Sequence, residues 1–238
     1  MEPTITVYCK NTHSYHEVPR GISLIELKDL LGIQLPYPII AAHVNYKVEN
    51  LDFRLYKPKD IEFLDASTPS GMRAYVRTLG MVLGAAINEL YPRTDLRVEH
   101  PISKGYYCTL QWHVDKNTEP EEEKEPPVLT KEMIAAIKQR MLQIIAEDRP
   151  IYEEEKQTKE VIKLFASRYN NETSIFEALG NPYCRYFRMG EYIDYYTNVL
   201  LPSSGYLTLF DIVPYQDGLL MRIPNRQNPT VLEDEVSQ

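Results

Sequence analysis

The sequence predicts an α+β protein built from two successive units, and three observations carry that reading. Short strand-like runs surround a single short helix in the opening part of the chain. A long run over residues 70–91 then changes the apolar period from alternating to helical. Beyond it, more strand-like runs follow helical ones in the order expected of helices flanking an antiparallel sheet.

Taken in order, Thr4-Ile5-Thr6-Val7-Tyr8-Cys9 alternates as a half-buried strand, and after a polar turn residues 15–18 read as its hairpin partner. Ser23-Leu24-Ile25-Glu26 is a capping box: the Ser hydroxyl accepts the Glu26 amide while the Glu26 carboxylate accepts the Ser23 amide. Ile22 and Leu27 stand at hydrophobic-staple positions, Leu27, Leu30 and Leu31 form the expected buried stripe, and Gly32 suits a left-handed helix end. After Pro36 and Pro38, residues 39–44 and 46–48 read as strands joined at Asn45, and residues 61–64 close the unit. Hairpin, one helix, then further strands is the order of a β-grasp, a ubiquitin-like sheet wrapped over one helix, here assigned to residues 1–68.

The second unit is assigned to residues 69–224. Its first helix carries Met72, Tyr75, Val76, Leu79, Val82, Leu83, Ala86, Ile87 and Leu90 on a broad apolar face, with Pro92 just past the end. Strands are expected at 96–98 and at 106–114, the latter alternating around Cys108, Leu110 and Trp112. Residues 119–127 are acidic and proline-bearing and read as a solvated loop. Thr130 caps a helix whose Met133, Ile134, Ile137, Met141, Ile144 and Ile145 recur on one side, and a further helix over 158–169 carries Val161, Ile162, Leu164 and Phe165. Strands follow at 192–195, 206–210 and 218–223, and the polar residues 225–238 read as a linker or truncated tail.

Composition narrows the function classes. With 43% hydrophobic and 25% charged residues the chain is an ordinary globular one, and no apolar run reaches the ~20 residues that span a bilayer. The opening Met1-Glu2-Pro3 has no basic or apolar leader character, so a cytoplasmic setting without membrane partners is expected. Cys9, Cys108 and Cys184 are far apart, which speaks for reduced structural thiols and against a disulfide framework or zinc ribbon. A net charge of -8 opposes a general phosphate-binding surface while leaving room for a local basic patch. The 18 Tyr against one Trp, crowded between Tyr183 and Tyr215, suit packing or an aromatic-lined pocket.

Motifs with chemistry are scarce. Neither a G-x-x-x-x-G-K-[ST] loop nor a G-x-G-x-x-G fingerprint occurs. His13 and His16 have a metal-like separation but flank a turn without Cys or carboxylate partners; His43, His100 and His113 are isolated. No Ser stands in a G-x-S-x-G context. The sequence therefore assigns no catalytic residue, metal site or cofactor to this chain.

One family resemblance runs through most of the sequence. The opening unit resembles a TGS domain, the β-grasp module at the front of threonyl-tRNA synthetases. Gly80-Met81-Val82-Leu83-Gly84-Ala85-Ala86-Ile87-Asn88-Glu89-Leu90-Tyr91-Pro92 resembles the first motif of the second additional domain, the editing module of threonyl- and alanyl-tRNA synthetases. Lys104-Gly105-Tyr106-Tyr107, the helix after Thr130, and Glu191-Tyr192-Ile193-Asp194-Tyr195-Tyr196 through Leu200-Leu201-Pro202 continue the match in order. The family's motifs read H-x-x-x-H and C-x-x-x-H and together form a metal-binding or deacylating centre. Here Met81, Ala85, Tyr196 and Leu200 occupy those four positions, and Ala and Leu offer a metal nothing.

The resemblance thus implies a degenerate editing cleft lined by Met81, Ala85, Tyr107, Asp194, Tyr196 and Leu200, with the hydrolytic chemistry lost. Residues 201–207 and 218–224 are also similar to the segment preceding the P-loop domain of uridine kinase-like bacterial nucleoside kinases, which fuse the same two modules to a kinase. The leading expectation is therefore a non-catalytic accessory region of such a kinase. It would sense a nucleoside, a nucleotide or structured RNA and pack on its own C-terminal domain, with ATP and Mg serving a kinase domain beyond Gln238. The alternative is a threonyl-tRNA synthetase-related module that binds mischarged tRNA or hydrolyses it, with Asp194 and His100 or Lys104 as acid and base.

Overall fold

The computed structural model describes residues 3–102, 105–112, 128–166 and 173–232. The expected loop at 119–127, His113, Lys104 and the end of the helix at 158–169 lie outside the described residues.

In the first unit β1 (Thr4–Cys9) and β2 (Ser14–Pro19) pair antiparallel, with Val7, Cys9 and Val18 inward. A two-residue strand, β3 (Ile22–Ser23), leads into α1 (Leu24–Leu30), where the Ser23–Glu26 capping box forms in both directions. Gly32 closes α1 at φ 61. Leu30 corrects the expected stripe: it stands 59% exposed, because it is one residue and so ~100° round the helix from the core-facing Leu31. Then come β4 (Ile39–Val44), β5 (Lys47–Glu49), β6 (Arg54–Leu55) and β7 (Asp60–Asp65). The sheet order is β2-β1-β7-β4-β5, with β1 and β7 parallel, and β3 pairs with β6 separately. Leu24, Leu27, Leu51, Ile61 and Phe63 fill the space between α1 and the sheet.

The second unit opens with α2 (Pro69–Leu90), whose cap Thr68 accepts the Gly71 amide and whose proline occupies the first turn, where no N–H is needed. Fourteen of its 22 residues are buried, so α2 is core on nearly every side rather than a surface helix. There follow β8 (Thr94–Ile102), β9 (Gly105–Trp112), α3 (Lys131–Ala146), β10 (Tyr152–Gln157), α4 (Thr158–Ala166), α5 (Thr173–Leu179), β11 (Tyr183–Met189), β12 (Tyr192–Asp194), β13 (Asp211–Tyr215) and β14 (Gly218–Arg222). Two antiparallel sheets form where the sequence suggested one. The first, β13-β14-β9-β8, packs on α2 and α3; the second, β10-β11-β12, has its own core with α4 and α5 around Val161, Phe165, Phe176 and Tyr186.

One further expectation is corrected. The strand at 206–210 is instead a 3-10 turn, Ser204–Tyr206, followed by irregular chain. The buried Tyr75 hydroxyl accepts the Thr208 and Leu209 amides at 3.0 and 2.8 Å and donates to the Leu209 carbonyl at 2.7 Å. One side chain thereby does for this backbone what a neighbouring strand would have done. Of the expected tail, residues 225–232 are described: the Asn225 amide donates to the Val231 carbonyl at 2.8 Å, Pro224 bridges to Leu232, and Pro229 is buried. Among the described residues no helix is long and apolar enough to cross a membrane.

Candidate functional site

The middle of α2 and the chain leaving β12 face each other. On the helix, Arg77, Gly80, Met81, Gly84 and Ala85 recur at spacings of three and four and so share one side. The opposing segment is strapped down in three places. Arg77 Nε donates to the Val199 carbonyl at 3.1 Å, Thr78 Oγ1 accepts the Leu201 amide at 2.9 Å, and Asn50 of the β-grasp unit donates to the Leu200 carbonyl at 2.8 Å. These contacts set Tyr192, Asp194 and Tyr196 over the helix.

The two glycines make room for two phenols. A Cβ on Gly84 would lie 2.2 Å from the Tyr192 hydroxyl, and one on Gly80 3.6 Å from that of Tyr196. Tyr192 Oη donates to Asp194 Oδ2 at 3.3 Å, and the Tyr195 amide donates to Oδ1 at 2.7 Å. Burial pushes the Asp194 carboxyl up to about 6, against the Tyr195 amide and the Tyr196 and Tyr192 phenols, which favour its ionised form. Burial also holds Arg77 below the usual guanidinium range, with Arg73 adding repulsion and the Tyr196 and Tyr106 phenols opposing. The result is a carboxyl held by two phenols and a backbone amide, able to accept hydrogen bonds from polar groups.

The sequence-derived lining is only partly brought together. Met81 and Ala85 are 0% exposed and Leu200 1%, so all three are packed core, while Asp194 and Tyr196 are half-buried in the cluster. Tyr107 belongs elsewhere. In β9 alternate residues face opposite sides, and Cys108 points to the helices, so Tyr107 points away from them. Its hydroxyl donates to Asp217 and its ring stacks edge-on with His100 and Tyr215 at 5.4 and 5.5 Å. Tyr106, its neighbour, is the tyrosine packed on the α2 side. His100 therefore stands across the sheet from Asp194 and cannot serve it as a base, and Lys104 lies outside the described residues. Gly80, Gly84 and Tyr192 were not singled out from sequence; the i, i+4 glycine spacing was the available signal.

A metal does not fit these residues. Among the described residues no three His, Cys, Asp or Glu side chains gather as ligands, and Asp194 is offered phenols where imidazoles would be required. Thiol chemistry is not offered instead: all three cysteines are buried, and burial pushes the Cys108 thiol up to about 12. The Tyr196 edge of the cluster opens into a groove of about 800 Å³ between the two units. Phe53, Lys47 and Glu49 of the β-grasp unit form one wall, Thr197 to Val199 another, and Glu153, Glu155 and Arg185 a third.

Comparison with known proteins places the chain near one enzyme class. It is 26% identical to the threonine–tRNA ligase of Syntrophomonas wolfei subsp. wolfei over 202 residues, 84% of this chain and 30% of that protein. The threonine–tRNA ligase of Symbiobacterium thermophilum is 24% identical over 84% of the chain and 29% of its own length, and that of Rubrobacter xylanophilus 24% over 82% and 28%. No protein-family model matches the chain. The similarity is distant and runs through both units, and the chain spans under a third of the length of the curated relatives it matches.

Proposed function

We propose that this chain is a non-hydrolytic counterpart of the TGS-plus-editing region of threonine–tRNA ligases, a module that holds the aminoacylated end of a tRNA without deacylating it. The observation that carries the reading is the Gly80–Gly84 seat. Met81, Ala85 and Leu200, which by resemblance stand where the editing motifs carry imidazoles, are packed core, and two phenols lie over the helix, with Tyr192 donating to Asp194. The distant similarity to the ligases, continuous from the β-grasp unit to the segment after β12, supports a shared ligand class.

The test combines turnover and binding on the whole chain. Serylated threonine tRNA should be hydrolysed no faster than in buffer, with or without added zinc or a chelator. The same tRNA should be retained in a filter or titration assay, with affinity falling steeply as salt rises. Stoichiometric metal with chelator-sensitive hydrolysis would overturn the non-hydrolytic part; absence of tRNA retention at low salt would overturn the binding part. The nucleoside-kinase parent rests on the resemblance of residues 201–207 and 218–224 alone. In the fold the first of these forms the 3-10 turn that docks on Asp148, whose Oδ1 accepts the Ser203 hydroxyl and the Gly205 amide. The ligase relatives favour the tRNA reading.

A further inference from the structure

The outer face of the β-grasp sheet, opposite α1, carries an aromatic platform that the reading above does not use. Tyr8 and Tyr15 are cross-strand partners with ring centroids 5.0 Å apart. Tyr46 stands at the β4–β5 turn, and the Lys10 ammonium lies 5.0 Å from its ring centroid. Tyr15 is 75% and Tyr46 81% exposed. Single exposed tyrosines are ordinary, but here three line one concavity of about 380 Å³.

Backbone conformation adds an independent observation. Asn45 and Tyr46 adopt φ 48 and φ 71, the double left-handed turn in which Gly is the low-cost second residue. Tyr carries a Cβ penalty there and buries almost nothing in return, so stability is given up to display a phenol. The chemistry around the rings names the ligand. Lys59 and Lys10 bring cations to the rim, as a phosphate requires. Asp60, the ladder neighbour of Tyr8, brings a carboxylate to the same concavity. A ring that stacks on tyrosine, offers paired N–H donors to a carboxylate and carries a phosphate within reach of lysine is guanine in a nucleotide.

We infer that this face binds an unpaired guanine nucleotide, free or within a single strand, by stacking between Tyr15 and Tyr46 with its N1–H and N2–H edge on Asp60. The inference does not rest on the tRNA-end reading, since the platform and the Gly80–Gly84 cleft share no residue.

The experiment is a calorimetric titration of the whole chain with GMP, UMP and a five-nucleotide strand carrying one central G. GMP should bind and UMP should bind more weakly, with Asp60→Asn erasing the difference. Tyr15→Ala should weaken GMP binding about tenfold, the usual effect of removing one stacking ring. Tyr46→Gly should weaken it similarly while raising the urea midpoint, because Gly relieves the φ 71 turn; this pairing of effects separates display of a phenol from a packing role. Tighter, salt-sensitive binding of the strand assigns the site to single-stranded nucleic acid, and equal binding assigns it to the free nucleotide. Absence of GMP binding, indifference to Tyr15→Ala and Tyr46→Gly, or capture of a proline-rich peptide by the same tyrosines in place of GMP would overturn the inference.

Discussion

Under α2, Asp194 accepts hydrogen bonds from phenols in a half-buried cleft; on the far face of the β13-β14-β9-β8 sheet, Tyr107 donates to Asp217 at the rim of an exposed turn. The donor and acceptor chemistry is the same, yet different causes lead. Around Asp194 desolvation leads, and the carboxyl rises to about 6. At the sheet the hydrogen bond to Asp217 leads, with burial second, and it is the phenol that rises, to about 12. Donation to a carboxylate holds the Tyr107 phenol in its neutral form and burial adds to that, whereas Asp194 rises because desolvation outweighs the donors that favour its charge. Only the first arrangement yields a group that changes charge near neutral pH, which is why the cleft rather than the sheet face is the candidate site.

The sharpest way to break the comparison is to remove the space each tyrosine depends on. Gly218→Ala would place a Cβ 2.1 Å from the Cys108 carbonyl oxygen and 3.1 Å from the Tyr107 ring. Backbone of a central ladder cannot step aside, so a loss of about 3 kcal/mol, the upper end for overpacking, is expected in urea unfolding. Gly84→Ala meets a side chain instead, the Tyr192 hydroxyl. A smaller loss of about 1–2 kcal/mol should appear, and adding Tyr192→Phe should return part of it. An unchanged midpoint in Gly84→Ala would mean that Tyr192 has another rotamer at little cost, and the phenol seat would lose its structural basis.

The carboxyl can be tested by pH. Asp194 ionises near 3.8 in an unfolded chain and near 6 in the fold, so the folded state binds the extra proton between those values. Its contribution to stability is complete below 3.8 and is lost as pH rises through 6. Asp194→Asn should therefore flatten the stability profile across that window, and a profile identical to the parent's would show that the shift resides on another group. The smallest effect is expected for Tyr107→Phe. Asp217 is exposed and rehydrates when the hydroxyl leaves, so about 1 kcal/mol or less should be lost, together with a step near 12 in a tyrosine absorbance titration.

Much of this architecture was legible before any coordinates. The capping box at Ser23, the apolar period of α2 and α3 and the alternation of β1 are local signals whose physics acts within a few residues, and each element formed where its signal lay. β10 was illegible for the opposite reason. Tyr-Glu-Glu-Glu-Lys-Gln has no apolar alternation, and its place in the sheet comes from partners thirty residues away: Arg185 reaches Glu153 and Glu155 at 3.2 Å each, and Arg188 reaches Glu154 at 2.8 Å. The candidate site was half legible. The motif resemblance pointed to Asp194 and Tyr196, which meet in the cluster, and to Met81, Ala85 and Leu200, which are packed core, but placing Tyr106 rather than Tyr107 on the α2 side needed the register of β9, where a slip of one residue exchanges the two faces.

The sequence by itself determined the α+β class and the β-grasp order of the first unit, because these are properties of pattern and residue type. Only the tertiary structure decided what lies against the middle of α2. That Gly80 and Gly84 admit two phenols, that those phenols settle on Asp194 and that burial lifts its carboxyl depend on a helix and a segment more than a hundred residues apart being pinned together by Arg77, Thr78 and Asn50. Desolvation and close packing are set by such distant neighbours, and no window of sequence contains them.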